Sequence, residues 1–128
     1  ILIILAAVDE KTSKNIYSVA EELNISTIIE VHTQEEAEKA LYFKNSIIGI
    51  NNRNLKTLKT DIKITFDLHK NLAKHEGPII CESGIKSEKE VEEIVKKTKI
   101  NNFLIGESLL KNINESTSLL EKIVQISP

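Results

Sequence analysis

The chain has 128 residues, 41% of them hydrophobic, which is enough for one domain of ordinary size and excludes the disordered, collagen-like and disulfide-rich classes. Its 17 basic and 19 acidic residues give a net charge of −2 without long blocks of one sign. We therefore expect neither a nucleic acid nor a membrane as partner, and favour a small molecule or a protein.

The first apolar run, residues 2–8, lies in the opening "ILIILAAV" and predicts a buried strand. This stretch is far shorter than the roughly 18 residues of a membrane span, and no basic segment precedes it as in a signal peptide. Because the chain starts at Ile1 rather than at methionine, we expect that its natural beginning is missing.

Four more apolar runs follow, and segments with helical spacing separate them. The runs are residues 27–31, 46–50, 78–81 and 102–105. Apolar residues with helical spacing form three stripes: Ile16, Val19, Ala20 and Leu23; Val91, Ile94 and Val95; and Leu119, Leu120, Ile123 and Val124. Two helix starts are indicated by the spacing of a capping box: Thr33 with Glu36, and Ser87 with Glu90.

This alternation predicts an α/β fold in which helices wrap a parallel sheet, with five βα units in one domain over residues 1–128. The runs show no polar alternate face, so both faces of the sheet are expected to be covered. Two architectures remain open at this point. The length favours a doubly wound sheet, because a complete (β/α)8 barrel has about 250 residues, whereas the polar residues at the strand ends favour a barrel.

Cys81 is the only cysteine and follows two isoleucines, so it cannot form an internal disulfide. We interpret it as a buried, reduced thiol of a cytoplasmic protein. A catalytic role is disfavoured because no separate signal places a base beside it.

Polar residues interrupt the second and third runs at their carboxyl ends, where functional residues of parallel sheets lie. Glu30 lies inside its strand, and is either the structural partner of a lysine or a general base with a raised pKa. Asn51 is favoured as a capping or turn residue over a ligand contact, and Asn52 and Asn54 are interpreted as turn residues. Arg53 is the only arginine; pairing with an acidic residue is slightly favoured over binding an anionic planar group.

The ends of the last two runs read "ESG" and "GES". Small residues at these positions allow backbone N–H groups to approach an anion. Phosphate sites in barrels are frequently built from the loops after the final two strands. The pair of motifs therefore predicts a phosphate-binding end of the sheet.

In this order and at these separations, "EVH", "GINNRNL", "ESGI" and "FLIGESLL" resemble the second half of the indole-3-glycerol-phosphate synthase family. The resemblance covers essentially the whole chain, from the family's fourth strand to its eighth helix. It implies a (β/α)8 TIM barrel of which this chain supplies βα units four to eight, a partial barrel. It also implies a cytoplasmic enzyme of tryptophan biosynthesis that needs no cofactor and no metal.

The implied reaction is the decarboxylating ring closure of 1-(2-carboxyphenylamino)-1-deoxyribulose 5-phosphate to indole-3-glycerol phosphate. The resemblance assigns Glu30 to the family's general base. It assigns Asn51 and Glu82 to groups that orient the substrate, and these three form the implied catalytic set.

The implied substrate-binding set lies in the later strand ends. Arg53 matches an arginine near the substrate, and Ser83 and Gly84 match residues that hold its phosphate. Gly106 and Glu107 match main-chain donors to the phosphate; other members have serine at the second position, so the donor there is a backbone N–H.

The family's first three strands have no match here. The glutamate and the lysine of the first strand are therefore missing, and so is the third-strand lysine that acts as general acid. Loss of the acid alone should lower the rate by about 10²–10⁴, so we expect this piece alone to be a poor catalyst or none. The opening run would also form a long, flat, apolar sheet edge. We expect that the missing strands were untraced, that they reassociate from a separate piece, or that the chain associates with itself.

Two other functions remain open. One is a non-catalytic half-barrel that keeps a phosphate-binding end and self-associates through its open edge. The other is a different phosphate-binding barrel enzyme of tryptophan or histidine biosynthesis, against which "GINNRNL" argues.

Overall fold

Five strands and six helices alternate along residues 1–111 and 113–126, which are the residues described by this computed structural model. In chain order they are β1 (Leu2–Ile4), α1 (Glu10–Glu22), β2 (Ile28–Val31), α2 (Gln34–Ala40), β3 (Ile47–Asn51), α3 (Lys63–Leu68), β4 (Ile79–Glu82), α4 (Glu88–Thr98), β5 (Asn102–Leu104), α5 (Glu107–Lys111) and α6 (Ile113–Ile126). The predicted βα rhythm is confirmed, although two helices rather than one follow β5.

The strands are all parallel and lie in the order β1-β2-β3-β4-β5. A doubly wound sheet reverses its strand order at a switch point, whereas a barrel wall adds each strand beside the one before it. The order seen here is that of a barrel wall. The fold is therefore a partial (β/α) barrel, and the doubly wound alternative is wrong.

The two faces of this sheet differ in their burial. The face beneath the helices is made of fully buried residues: Ile3, Ile29, Val31, Ile48, Ile50 and Cys81. On the opposite face Leu2 and Leu104 are half exposed, and Ile28 and Ile47 are only partly buried. The expectation that both faces are covered is therefore wrong for these four positions on this inner face.

The first apolar run forms a much shorter strand than predicted. Only Leu2–Ile4 pair with β2, and the chain then turns, with the N–H of Ala7 bonded to the carbonyl of Ile4 at 2.9 Å. Leu5 and Val8 pack against the core from this turn instead of extending the strand. The predicted long, flat edge is therefore wrong for this end of the sheet.

Both predicted capping sites are confirmed. Thr33 Oγ1 accepts from the N–H of Glu36 at 3.2 Å at the start of α2. Ser87 Oγ accepts from the N–H of Glu90 at 3.4 Å at the start of α4. In each helix the glutamate reaches back to the backbone N–H just before the cap residue.

The predicted apolar stripes are buried to different extents. In α4 Val91 and Ile94 are fully buried, as expected. In α1 the stripe is buried only at Ala20. Ile16, Val19 and Leu23 are exposed, because the helix turns its Ser13, Tyr17 and Ala20 side toward the core. Of the α6 stripe, Leu119 is buried and Ile123 partly so, while Leu120 and Val124 are exposed. Within the described part of the chain, no helix is long and apolar enough to cross a membrane.

Candidate functional site

Three buried polar side chains lie at the carboxyl ends of neighbouring strands. Glu30 is the next-to-last residue of β2, Asn51 ends β3 and Glu82 ends β4, and all three are less than 10% exposed. The strand register places Glu30 beside Gly49, and Asn51 beside Glu82. The structure thus brings together the three residues predicted to be catalytic, and their roles stay predictions.

Gly49 provides the space that the carboxyl group of Glu82 occupies. A Cβ built on Gly49 would lie 1.9 Å from Glu82 Oε1, far closer than any tolerated contact. The side chain of Glu82 therefore lies across β3 toward Glu30. Only glycine at position 49 permits this arrangement.

The two carboxyl groups form an electrostatically strained pair. Burial, followed by the negative charge of Glu30, raises the pKa of Glu82 from 4.5 to about 7. Neither Glu30 Oε1 nor Glu82 Oε1 has a hydrogen-bond partner among the described residues. Buried oxygens normally have partners, so these two are available to a ligand or to a water molecule.

The structural role considered for Glu30, pairing with a lysine, is wrong for the described residues, since the basic side chain beside it there is His32. Glu30 Oε1 lies 3.3 Å from His32 Nε2, and His32 Nδ1 lies 3.5 Å from Glu36 Oε2. Neither ring nitrogen is aligned for a hydrogen bond. His32 was not among the predicted site residues, although its place directly after the strand carrying Glu30 was a usable signal.

The asparagines after β3 have different environments. Asn51 accepts from the N–H of Arg53 at 2.9 Å, and Asn54 accepts from Lys56 and Thr57, so both make the turn contacts predicted for them. The turn role predicted for Asn52 is wrong. Its side chain is fully buried on the helix side of the sheet, because successive residues of a strand point to opposite faces.

Arg53 forms an ion pair, as the favoured interpretation predicted. Its Nη2 lies 2.6 Å from Glu107 Oε2, and its Nη1 donates to the carbonyl of Leu58 at 3.0 Å. The pair joins the loop after β3 to the start of α5. Two residues predicted to bind substrate therefore also bind each other.

Ser83, Gly84, Gly106 and Glu107 lie together around one cavity of about 510 Å³. Ser83 and Gly84 have positive φ values of 63° and 75°. The N–H of Ser83 donates to the carbonyl of Leu104 at 3.1 Å. This leaves the Ser83 hydroxyl and the Gly84 N–H as the groups of this turn that could meet an anion.

The charge around this cavity suits an anion. Arg53, Lys59 and Lys86 line it, and Glu107 is the acidic residue among its lining groups. A Cβ built on Gly106 would meet nothing within 4 Å, so the backbone there is open to the cavity. Ser83 follows Glu82 directly in the chain, although neither carboxyl group of the pair lines this cavity.

Cys81 lies on the opposite side of the sheet from this site. It is a free thiol and fully buried, and burial raises its pKa. The predicted burial of this thiol is confirmed. Among the described residues, no group of three or more histidine, cysteine, aspartate or glutamate side chains is arranged to hold a metal ion.

Comparison with known proteins identifies the family. The family model described as indole-3-glycerol phosphate synthase matches residues 1–121. The indole-3-glycerol phosphate synthase of Legionella pneumophila strain Lens is 40% identical over 119 residues, which are 93% of this chain and 45% of that protein. The tryptophan biosynthesis protein TrpCF of Helicobacter pylori strain J99 is 41% identical over 111 residues, 87% of this chain and 24% of that protein.

A solved structure supports the fold. The 3-keto-L-gulonate-6-phosphate decarboxylase of Vibrio cholerae matches with a TM-score of 0.68 at 18% identity, over 99% of this chain and 61% of that one. The chain spans about half the length, or less, of the curated relatives that it matches. Since the family model covers nearly all of its residues, the chain belongs to the indole-3-glycerol phosphate synthase family.

Proposed function

We propose that this chain supplies the carboxylate pair and the phosphate-binding end of an indole-3-glycerol phosphate synthase site, in tryptophan biosynthesis. The observation that carries the proposal is the buried pair of Glu30 and Glu82, directly beside the Ser83–Gly84 turn. The substrate has a phosphate at one end and a reacting carbonyl and carboxylated ring at the other. The site offers matching groups for both ends.

The phosphate end of the substrate lies, in this proposal, in the cavity after β4 and β5. The Ser83 hydroxyl and the N–H groups of Gly84, Gly106 and Glu107 donate to the phosphate oxygens. Charge-assisted hydrogen bonds of this kind are stronger than neutral ones. Lys59 and Lys86, which line the same cavity, supply positive charge.

The reacting end lies at the carboxyl pair. Ring closure requires a proton at the carbonyl oxygen, loss of carbon dioxide, departure of the resulting hydroxyl as water with a second proton, and removal of a proton from the methylene carbon that joins the nitrogen to the former carbonyl carbon. We assign the last proton to the Glu30 carboxylate. Glu82 is about half protonated at neutral pH, since its pKa is about 7, so it can donate a hydrogen bond to a substrate oxygen. Asn51, beside Glu82, orients the substrate through its amide.

The proposal assigns to this chain only the groups on β2 to β5. The Legionella relative is more than twice as long as the region that matches, and the resemblance places the general-acid lysine on a strand outside that region. We therefore propose that full activity requires those strands as well. The substrate is the phosphorylated anthranilate derivative of the family.

A direct test is turnover, followed by the indole fluorescence of the product, with the chain alone and with the N-terminal half of the Legionella relative added. Glu30→Gln should lower kcat about 100-fold or more at an unchanged KM, because it removes the base and keeps the shape. Glu35→Gln, an exposed carboxylate on α2, is the matched control and should change neither parameter. An unchanged kcat in Glu30→Gln would contradict the proposal.

The non-catalytic half-barrel remains a second candidate, and one observation favours it. The inner face of the sheet exposes half of the Leu2 and Leu104 side chains, and apolar surface of this kind marks interaction sites. In this alternative the chain binds a second copy through that face and keeps phosphate affinity without turnover. Light scattering that shows a monomer, together with turnover in the assay above, would exclude it.

A further inference from the structure

Asn52 is the most completely hydrogen-bonded side chain near the site, and nothing in the proposed reaction uses it. It is fully buried. Its Nδ2 donates to the carbonyls of Glu82 and Ser83 at 3.2 and 3.1 Å. Its Oδ1 accepts from the N–H and the hydroxyl of Thr65 at 3.1 and 2.8 Å.

These partners fix the orientation of the Asn52 amide. A backbone carbonyl can only accept a hydrogen bond and a backbone N–H can only donate one. The nitrogen of Asn52 must therefore face Glu82 and Ser83, and its oxygen must face Thr65. No residue with only donors or only acceptors can replace it in both roles.

The segment that Asn52 holds is in an unfavourable conformation. Ser83 is not a glycine, yet its φ is 63°, and such residues persist only where surrounding contacts hold them. Ser83 is held on both sides: its N–H donates to the carbonyl of Leu104, and its own carbonyl accepts from Asn52. Removing Asn52 releases one of these two attachments.

Asn52 holds Ser83 from the helix side of the sheet. Its backbone is also engaged, since its N–H donates to the carbonyl of Glu82 and its carbonyl accepts from Asp61, both at 2.9 Å. Neither Asn52 nor Thr65 is among the residues that line the cavity. Asn52 can therefore act on a ligand only through the Ser83–Gly84 turn, which it ties to Thr65 on α3.

We propose that Asn52 is a positioning residue: anchored by Thr65, it holds the Ser83–Gly84 turn in the left-handed conformation that receives the phosphate of the substrate. This inference rests on the proposed function, because it takes the cavity beside the turn as the phosphate site. It extends that function to a buried residue that touches no substrate. A merely structural role would instead leave ligand affinity unchanged as long as the protein folds.

The chain contains four glycines, which makes a selective NMR experiment possible. Gly84 and Gly106 line the cavity, whereas Gly77 precedes β4 at the opposite end of the sheet. We would label the glycines with ¹⁵N and titrate the chain with inorganic phosphate. The wild-type resonances of Gly84 and Gly106 should shift in a saturable way, and that of Gly77 should not move.

In Asn52→Ala we expect the Gly84 resonance to change position or split before phosphate is added, and the phosphate dissociation constant to rise about tenfold or more, since preorganisation is lost. Asn45→Ala is the matched control; it removes an exposed amide that bonds Glu21 at the other end of the sheet, and should bind phosphate normally. Thr65→Ser keeps both donors to Asn52 and should also bind normally.

The outcomes separate the two proposals. A wild-type chain without phosphate-dependent shifts overturns the phosphate site and this inference with it. Wild-type shifts together with an unchanged affinity in folded Asn52→Ala overturn this inference alone. If Asn52→Ala loses the native Gly77 resonance, Thr65→Val decides. This variant removes the hydroxyl that donates to Asn52 and contacts Cys81, and keeps the backbone donor. Unchanged phosphate affinity in Thr65→Val would overturn the inference, whereas weaker binding that Thr65→Ser restores would support it.

Discussion

The carboxyl group of Glu82 occupies the space above Gly49, where a Cβ would lie 1.9 Å from its Oε1. This relationship explains why glycine interrupts an otherwise isoleucine-rich strand. It also explains how Glu82 on β4 reaches across β3 toward Glu30 on β2. The carboxyl pair therefore depends on a residue that carries no functional group.

We predict that Gly49→Ala displaces Glu82 and separates the carboxyl pair. The added methyl group overlaps the carboxyl group, and forced overpacking of this kind typically costs about 1–3 kcal/mol. Turnover should fall with the proposed role of Glu82. Urea denaturation and the fluorescence assay measure the two effects.

The control for this prediction is Glu82→Ala, which removes the group that the methyl would strike. In that background Gly49→Ala should cost much less stability, and the two substitutions should show a favourable coupling in a double-mutant cycle. Equal costs in both backgrounds would show that the clash at position 49 is with something other than Glu82.

A second prediction concerns pH. The pKa of Glu82 is raised to about 7 in the folded chain from an ordinary value of 4.5, so between these pH values the folded state binds more protons than the unfolded state. The contribution of Glu82 to the free energy of unfolding should therefore fall as pH rises from about 4.5 to about 7, and level off above that. Urea denaturation at a series of pH values measures this slope.

Glu82→Gln should remove that slope and stabilise the protein above pH 7, because the neutral amide is not penalised by burial. Glu30→Gln should keep part of the slope but shift it to lower pH, since burial remains and only the neighbouring charge is lost. If Glu82→Gln leaves the slope intact, the titrating group is elsewhere.

The strand ends left two architectures open, and the family resemblance carried by the order of the motifs predicted the barrel wall and grouped Glu30, Asn51 and Glu82. Parallel strands place their carboxyl ends at one edge of the sheet, so the position of these residues follows from the alternation alone. The role of Gly49 did not follow, because it depends on which neighbouring side chain leans across the strand. That is a property of three strands in register and not of one motif.

Asn52 and α1 show a second feature that could not be predicted from the sequence: the direction in which a side chain or a helix face points. Three asparagines in four positions read alike as turn formers, and only the pleat of β3 directs Asn51 to the inner face and Asn52 to the helices. In α1 the apolar spacing of Ile16, Val19 and Leu23 was real, but tertiary packing turned another side of the helix inward. Local patterns indicate that an amphipathic face exists without stating what covers it.

A third prediction tests the start of α2. Thr33→Ala removes the hydroxyl that accepts from the N–H of Glu36 and should destabilise the chain by about 1 kcal/mol. Thr33→Ser keeps the acceptor and should restore most of that loss. Urea denaturation of both variants checks the effect; equal stabilities of Thr33→Ala and Thr33→Ser would show that the cap contributes nothing.

The last prediction concerns the ion pair between Arg53 and Glu107. Both side chains are partly exposed, so Glu107→Gln should change stability by less than about 1 kcal/mol. The effect of Glu107→Gln on phosphate affinity should be easier to detect than its effect on stability, because Glu107 is an acidic residue at the edge of a cavity lined by lysines and the arginine.

Removing that negative charge should strengthen the binding of inorganic phosphate by about fivefold, since two unit charges 4 Å apart interact by about 1 kcal/mol in water. The gain should shrink at high salt, which screens exposed charges. Glu93→Gln breaks an exposed pair with Lys97 on α4, away from the cavity, and should leave the affinity unchanged. If Glu107→Gln instead weakens binding, then Glu107 serves the site by holding Arg53 in place, and its side chain rather than only its backbone N–H belongs to the binding machinery.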